Sequence, residues 1–278
     1  MTAAFRPHVL VTGAASGIGR SIALSFAGQG SAVTLVDFDE TRLTETVEHL
    51  RKTGSTINSV IADLRDPEQA EAVIGFAFAA SSVHVLVNAA GVYPAVPILD
   101  VDSHVWDSVQ AVNVRAPMLL TIAFARQLIE SDVSMPLGYP NVVNISSGAA
   151  LRARPGAAPY TTSKAALEMV TKACALELGP FGIRVNAVAP GFVEVDSTIN
   201  PLTEEYISKV AENPLGRRGR PSDIASAVQW VTSPSAEWVT GEVVRVDGGA
   251  SAGAHNLPVH WTEVRTEAES DRANGMKS

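Results

Sequence analysis

The sequence predicts an α/β protein with a doubly wound parallel sheet that carries helices on both faces. Three observations lead to this prediction. Short apolar segments alternate with helical patterns along the 278 residues. The segments are apolar at consecutive positions, as in strands that are buried on both sides. No linker rich in Pro, Gly or Ser divides the chain, so a single large domain is expected.

The strand segments are short, and most of them end at small or polar residues. Seven are predicted, at residues 8–12, 32–36, 57–62, 83–88, 141–146, 183–189 and 242–246. The first helix has Ile18, Ile22 and Phe26 at a spacing of four. Pro67 marks the first turn of a third helix. The other helices are predicted at residues 40–52, 102–130, 159–179, 203–212 and 221–232.

The composition limits the classes of partner. The net charge is −8 and the isoelectric point is near 5.3, which argues against a nucleic-acid or anionic-membrane partner. The single cysteine, Cys174, allows no internal disulfide and is typical of a reducing compartment. No apolar run approaches about 20 residues, and the N-terminus shows no secretory leader. A soluble, cytoplasmic protein is therefore expected.

Ligands of such sheets bind beyond the carboxyl ends of the strands, so candidate binding residues are expected there. Residues 12–19, "TGAASGIG", follow the first strand. Glycines at this point let the backbone approach a pyrophosphate, which then rests on a helix N-terminus. A glycine-rich turn without a ligand is the alternative. The predicted cofactor contacts in this motif are Gly13, Ser16, Gly17, Ile18 and Gly19.

Acidic and small residues follow the next three strands. Asp37, beside Phe38, can accept hydrogen bonds from an adenosine ribose and would repel a 2′-phosphate, which favours NAD over NADP. A solvated helix N-cap is the alternative for this carboxylate. Asp63 and Leu64 are placed to meet adenine. Three further predicted cofactor contacts, Asn88, Ala89 and Gly91, lie in "NAAG".

The stretch "PYTTSKAAL" places Tyr160 and Lys164 one helical turn apart on the same face. The pair could be a detail of an exposed helix. Alternatively, the ammonium could favour the phenolate and make Tyr160 a base near neutral pH. The surrounding motifs favour the second interpretation.

Together, these motifs resemble those of the short-chain dehydrogenase/reductase family over residues 9–249. The match also includes Asn113 in "AVNV", Ser147 in "NISS", Pro190 and Gly191 in "PG", and the closing "VDGG". The resemblance implies one Rossmann-type domain, residues 1–250, with a seven-stranded parallel sheet, assembled as a homotetramer or homodimer. It also implies a catalytic set of Asn113, Ser147, Tyr160 and Lys164.

The resemblance implies oxidation of a secondary alcohol to a ketone with NAD and without a metal. Tyr160 would be the general base, Ser147 would bind the substrate oxygen, and Asn113 would anchor a water. Lys164 would lower the pKa of Tyr160, together with the positive nicotinamide ring, and would bind the ribose. Further cofactor contacts are implied at Pro190, Gly191 and Val193.

Tyr93, Leu151 and Phe192 fall where the family lines its substrate pocket, which suggests an apolar or cyclic alcohol. Arg152 and Arg154 are expected to be solvated. Two other functions stay open: a reductase of the 3-oxoacyl-[acyl-carrier-protein] type, and a non-catalytic NAD-binding sensor.

Two departures from the family pattern stand out. Val195 occupies the place of a threonine that helps to hold the nicotinamide amide, where Asp196 or Ser197 could substitute. Residues 251–278 form a C-terminal extension, partly disordered or packed at a subunit interface, in which "HNLPVHW" could cap a neighbouring pocket. Residues 192–218 are expected to form the lid over the substrate.

Overall fold

A computed structural model describes residues 5–131, 135–136, 138–195, 203–254 and 257. Its strands form one sheet in the order β3-β2-β1-β4-β5-β6-β7, and every neighbouring pair is parallel. The strand bounds are β1 His8–Thr12, β2 Ala32–Asp37, β3 Ile57–Ile61, β4 Val85–Asn88, β5 Asn141–Ile145, β6 Arg184–Pro190 and β7 Val243–Val246. The strand order reverses between β1 and β4, which opens a crevice at their carboxyl ends.

Helices connect the strands and cover both faces of the sheet. Their bounds are α1 Gly17–Gly28, α2 Glu40–Arg51, α3 Pro67–Ala80, α4 Ser103–Gln110, α5 Ala116–Ser131, α6 Ala158–Leu178, α7 Glu204–Val210 and α8 Pro221–Thr232. A π-helical turn, Ala111–Arg115, joins α4 to α5.

The sheet separates two hydrophobic cores because successive strand residues point to opposite faces. On β1, Val9 and Val11 face one core, which α1, α2 and α8 complete, whereas Leu10 faces the other. Phe26 and Ile224 fill the first core, between α1 and α8. The second core contains side chains from α3, α5 and α6, including Val73, Phe124 and Ala175.

One continuous helical stretch, Ser103–Ser131, is long and apolar enough to cross a membrane by length and composition alone. More than half of its apolar window is buried inside the protein. Leu120 and Phe124 on this stretch are fully buried against the sheet. The stretch therefore packs as a core helix.

The predicted fold class is confirmed: the chain forms a doubly wound α/β domain with a seven-stranded parallel sheet. All seven predicted strands are present, and their ends differ from the predicted ones by two residues at most. The proposed substitutes for the missing threonine, Asp196 and Ser197, lie outside the described residues. So does the segment 255–261 except for Leu257, which is exposed.

Candidate active site

The glycine-rich turn after β1 is packed tightly against the end of β4. The hydroxyl of Thr12 accepts hydrogen bonds from the backbone N–H groups of Ala89 and Ala90, each at 3.1 Å. Gly13 has a φ of +65°, and a Cβ on it would lie 2.8 Å from the Cα of Ala90. Only glycine satisfies both the conformation and the space at this position.

The N-terminus of α1 opens toward the cleft from this turn. Ser16 is the N-cap residue with an extended backbone, and its side chain makes no capping hydrogen bond. The first turn of α1 carries no acidic side chain. Uncapped N–H groups and the helix dipole favour an anion, so a pyrophosphate fits the residues present here.

Asp37 at the end of β2 is fixed by two backbone hydrogen bonds. Its Oδ2 accepts from Ala15 N at 3.0 Å and its Oδ1 from Asp39 N at 3.1 Å. The carboxylate thereby links β2 to the glycine-rich turn and presents its charge at the cleft. This placement matches the one expected for a group that binds an adenosine ribose.

Two arginines that the sequence analysis did not consider line the same end of the cleft. The Nε of Arg42 lies 3.7 Å from Oδ2 of Asp39, and the Nη2 of Arg65 lies 2.6 Å from Oδ2 of Asp63. The hydrogen bond from Arg65 lowers the pKa of Asp63. Arg42 reaches the cleft from the first turn of α2, and Arg65 reaches it from the loop after β3. No short sequence motif marks either arginine.

The catalytic end of the cleft holds Ser147 after β5 and Tyr160 in the first turn of α6. Both side chains line the cleft, and Ser147 lies near enough to Tyr160 to act on its pKa through a hydrogen-bond interaction. Burial raises the pKa of Tyr160, while the hydrogen bond to Ser147 and the charge of Arg154 oppose this rise. The prediction that Lys164 and a bound nicotinamide lower the pKa of Tyr160 concerns the complex with cofactor and stays a prediction.

Lys164 is one turn further along α6 and only 4% exposed. Its Nζ donates to the carbonyl oxygen of Ile145 at 2.8 Å and lies 5.8 Å from the centre of the Tyr160 ring. Burial lowers the pKa of Lys164 to about 8. The ammonium thus sits beneath the cleft, held by the end of β5.

Asn113 lies in the π-helical turn and is fully buried. Its Oδ1 accepts from Val92 N at 2.9 Å, and its Nδ2 donates to Val92 O and to Ser163 Oγ, each at 2.9 Å. The side chain does not line the cleft. Because these bonds engage its amide, Asn113 positions the segment after β4, and its expected role in anchoring a water stays a prediction.

The cleft has a volume of about 780 Å³ and runs from Asp37 to Phe192. It brings together most of the predicted site residues: Gly13, Ser16, Gly17, Ile18, Gly19, Asp37, Phe38, Asp63, Leu64, Ala89, Gly91, Tyr93, Ser147, Tyr160, Lys164, Pro190, Gly191, Phe192 and Val193. Val195 also lines it, near Gly17. A nicotinamide dinucleotide fits this arrangement, with its pyrophosphate at α1 and its adenosine at Asp37.

Besides Asn113, two predicted residues do not reach the cleft. The Asn88 side chain is buried below it and donates to Asn144 Oδ1 at 2.8 Å. Leu151 is half-exposed and is not among the residues that line the cleft, so its role as a substrate contact stays a prediction. Val210 of α7, Arg152 and Arg154 line the cleft instead. Across the described residues, no group of three or more His, Cys, Asp or Glu side chains could hold a metal ion.

The family model described as "Enoyl-(Acyl carrier protein) reductase" matches residues 13–251. Relatives of the chain include short-chain dehydrogenases and reductases over most of its length. The chain belongs to the short-chain dehydrogenase/reductase family. The fold and the order of the motifs around the cleft agree with this membership.

Three relatives illustrate the range of activities in the family. Galactitol 2-dehydrogenase (L-tagatose-forming) of Cereibacter sphaeroides is 35% identical over 86% of this chain and 92% of the relative. Cyclopentanol dehydrogenase of Comamonas testosteroni is 34% identical over 88% of this chain and 96% of the relative. The 3-oxoacyl-[acyl-carrier-protein] reductase FabG of Thermotoga maritima is 32% identical over 86% and 96%.

Solved structures of similar proteins include complexes with both nicotinamide cofactors. A dehydrogenase/reductase from Sinorhizobium meliloti has a TM-score of 0.80 at 34% identity, covering 88% of this chain and 95% of that one. A 4-hydroxyisoleucine dehydrogenase with NADH has a TM-score of 0.76 at 29% identity, covering 89% and 100%. A blue fluorescent protein from a metagenomic library, with NADPH, has a TM-score of 0.79 at 31% identity, covering 88% and 98%. Neighbours of this kind support a nicotinamide cofactor for the present chain.

Proposed function

We propose that this short-chain dehydrogenase/reductase oxidises a secondary alcohol to a ketone with NAD, in a reversible reaction. The observation that carries the proposal is that Ser147, Tyr160 and the buried Lys164 line the same cleft as the glycine-rich turn and Asp37. A phenol beside a buried ammonium can exchange a proton with an alcohol oxygen.

When bound, NAD supplies the nicotinamide ring that accepts hydride from the carbinol carbon. Tyr160 takes the hydroxyl proton at its phenolic oxygen. The Ser147 hydroxyl hydrogen-bonds the substrate oxygen, where charge develops. The Lys164 ammonium favours the phenolate of Tyr160 by its charge. In the direction of reduction, Tyr160 returns the proton to the carbonyl oxygen.

An apolar body of the substrate is supported by the side chains near Tyr160. Val92, Ala149, Phe192 and Val210 line this part of the cleft. Apolar walls with a few polar groups at the reacting atoms are typical of small-molecule sites. An apolar or cyclic secondary alcohol therefore suits the cleft best.

The preference for NAD rests on Asp37. Its carboxylate is held by Ala15 and Asp39 at the place where an adenosine ribose would bind, and it would repel a 2′-phosphate. A second candidate, NADP-linked carbonyl reduction, is favoured by one observation: Arg42 and Arg65 line the same end of the cleft. Both arginines already face carboxylates there, so NAD is the proposed cofactor.

The test follows nicotinamide absorbance with purified protein, NAD or NADP, and a panel of cyclic alcohols, sugar alcohols and 3-hydroxyacyl thioesters. We expect turnover of a cyclic alcohol, with kcat/KM for NAD at least tenfold above that for NADP, and loss of activity in Tyr160→Phe. Turnover of the thioester with a preference for NADP would favour the reductase. NAD binding without turnover would favour a sensor.

We also propose a homo-oligomer, as the family resemblance implies. Several large apolar side chains are exposed on helices at the surface: Met118 on α5, and Met169 and Leu176 on α6. Trp238, which precedes β7, is 98% exposed. Exposed apolar groups of this size are typical of subunit contacts. Light scattering coupled to size exclusion gives the assembled mass, and a monomer would contradict the proposal.

A further inference from the structure

The substrate end of the cleft carries two arginines, although the protein as a whole is acidic. Arg152 and Arg154 both lie in the loop between the end of β5 and α6, and both line the cleft. The chain has a net charge of −8. A local positive region in an acidic protein selects for anions, because nearby charges dominate the field inside a cleft.

Among the described residues, the carboxylates that line the cleft lie at the adenosine end or accept hydrogen bonds from the backbone. Asp37, Asp39 and Asp63 lie at the adenosine end. Asp247 accepts hydrogen bonds from the backbone N–H groups of Gly249 and Ser251, each at 2.9 Å. Among the described lining residues, the positive charge of the arginine loop is therefore concentrated at the substrate end.

Arg154 is held close to the reacting groups. Its guanidinium carbon lies 5.6 Å from the centre of the Tyr93 ring, and the centres of the Tyr93 and Tyr160 rings are 4.5 Å apart. A guanidinium over an aromatic ring is a favourable contact that also orients the side chain. The charge of Arg154 is near enough to lower the pKa of Tyr160.

The loop that carries Arg154 is itself ordered by hydrogen bonds. The carbonyl oxygen of Arg154 accepts from Ala157 N at 3.2 Å, and that of Gly156 accepts from Val96 N at 2.9 Å. Arg154 also borders a second hollow, lined by Val96, Ile98 and Pro155. Arg154 thus lies between the cleft and an apolar recess, on a backbone that these two hydrogen bonds hold.

We propose that Arg154, with Arg152 at the rim, binds a carboxylate of the substrate. The inference rests on the proposed function and sharpens it: the substrate is a secondary alcohol whose apolar body bears a carboxylate group. The planar guanidinium fork matches a carboxylate with two parallel hydrogen bonds. This assignment departs from the expectation, based on the sequence, that both arginines are solvated.

Calorimetry on protein saturated with NADH tests the proposal with two unreactive probes of the same shape, cyclohexanecarboxylate and cyclohexanecarboxamide. We expect the carboxylate to bind at least tenfold more tightly. Arg154→Gln should remove about tenfold of the carboxylate affinity and less than twofold of the amide affinity. Arg154→Lys should retain part of the preference, and Arg126→Gln, at an exposed position of α5, should change neither probe.

Kinetics with 3-hydroxycyclohexanecarboxylate and its carboxamide, at one pH, complete the test. Any effect of Arg154 on Tyr160 acts on both compounds, so the ratio of their KM values isolates the carboxylate contact. Equal binding of both probes by the wild type, or equal losses in Arg154→Gln, overturns the inference. Turnover of the neutral alcohol without a carboxylate preference defeats the inference alone, whereas a preference without any turnover defeats the proposed function.

Discussion

The two ends of the cleft use charge in different ways. At the adenosine end, Arg65 pairs with Asp63 two residues away, and Arg42 pairs with Asp39 one helical turn away. These pairs are partly exposed. At the catalytic end, Lys164 is buried and bonds to Ile145, nineteen residues earlier in the chain.

This contrast separates binding groups from reacting groups. Exposed pairs between neighbours in sequence contribute little free energy, because solvent screens them. The charge of a buried ammonium acts strongly on neighbouring groups, because solvent screens it only weakly. We therefore expect substitutions at the catalytic end to change chemistry, and those at the adenosine end to change cofactor choice.

The largest effect is expected from Lys164→Met. Loss of the ammonium beneath Tyr160 removes the charge that favours the phenolate, and kcat should fall on the order of 100-fold or more. Steady-state kinetics with NAD and the best alcohol of the panel measure the change. The matched control is Lys172→Met, an exposed lysine on the same helix. Similar losses in the two variants would contradict a special role for Lys164.

Asn113→Ala should give the next largest effect. It removes the hydrogen bonds to Val92 and Ser163 and leaves buried backbone groups unsatisfied, at a loss of roughly 1–3 kcal/mol in the free energy of unfolding. We also expect lower kcat, because the displaced segment includes Gly91, next to Lys164. Urea unfolding and kinetics report the two changes.

Asn88→Ala is the control for Asn113→Ala. It also removes a buried amide, which is bonded to Asn144, but this amide does not hold the segment after β4. Similar destabilisation with a smaller fall in kcat is expected. Equal falls in kcat would show that the role of Asn113 is only structural.

Asp37→Asn sharpens the comparison at the adenosine end. The amide keeps one of the two acceptor oxygens, replaces the other with a donor and removes the charge, so the preference for NAD over NADP should fall about tenfold. The ratio of kcat/KM values measures it. Arg65→Gln, which breaks an exposed pair, should change that ratio less than threefold. An unchanged ratio in Asp37→Asn would reject the charge argument.

The smallest effect is a pH dependence that arises from Lys164. Its pKa is lowered to about 8 in the folded protein, from an ordinary value of 10.5. Between these values the unfolded chain binds the proton and the folded protein does not, so stability rises with pH. Relative to Lys164→Met, the wild type should gain about 1 kcal/mol between pH 7 and pH 9. Urea unfolding at both pH values tests this, and a constant difference would contradict the lowered pKa.

Much of the fold was predictable because its signals are local. Apolar runs such as residues 8–12 specify strands that are buried on both sides, and Pro67 marks the start of α3. The spacing of four marked Tyr160 and Lys164 as a pair, and the resemblance to the family marked Ser147. A helix places residues four apart on one face whatever the rest of the protein does.

The features that the sequence did not reveal depend on tertiary packing. The π-helical turn at Asn113 interrupts an otherwise regular helical pattern. Pro117, two residues beyond it, lacks the N–H that would bond to the carbonyl oxygen of Asn113, but a proline alone does not predict a π-helical turn. The outward position of Leu151 and the inward position of Arg154 are set by the path of one loop. Side-chain direction in a loop has no periodicity from which it can be predicted.

The packing of the glycine-rich turn determines how a substitution there would affect the protein. A Cβ on Gly13 would press on the backbone at Ala90, and one on Gly19 would overlap the carbonyl oxygen of Gly13. The obstacle in both cases is the protein's own main chain, so the turn needs these glycines before any nucleotide arrives. Alanine at either position would therefore reduce the yield of folded protein even where no nucleotide is bound.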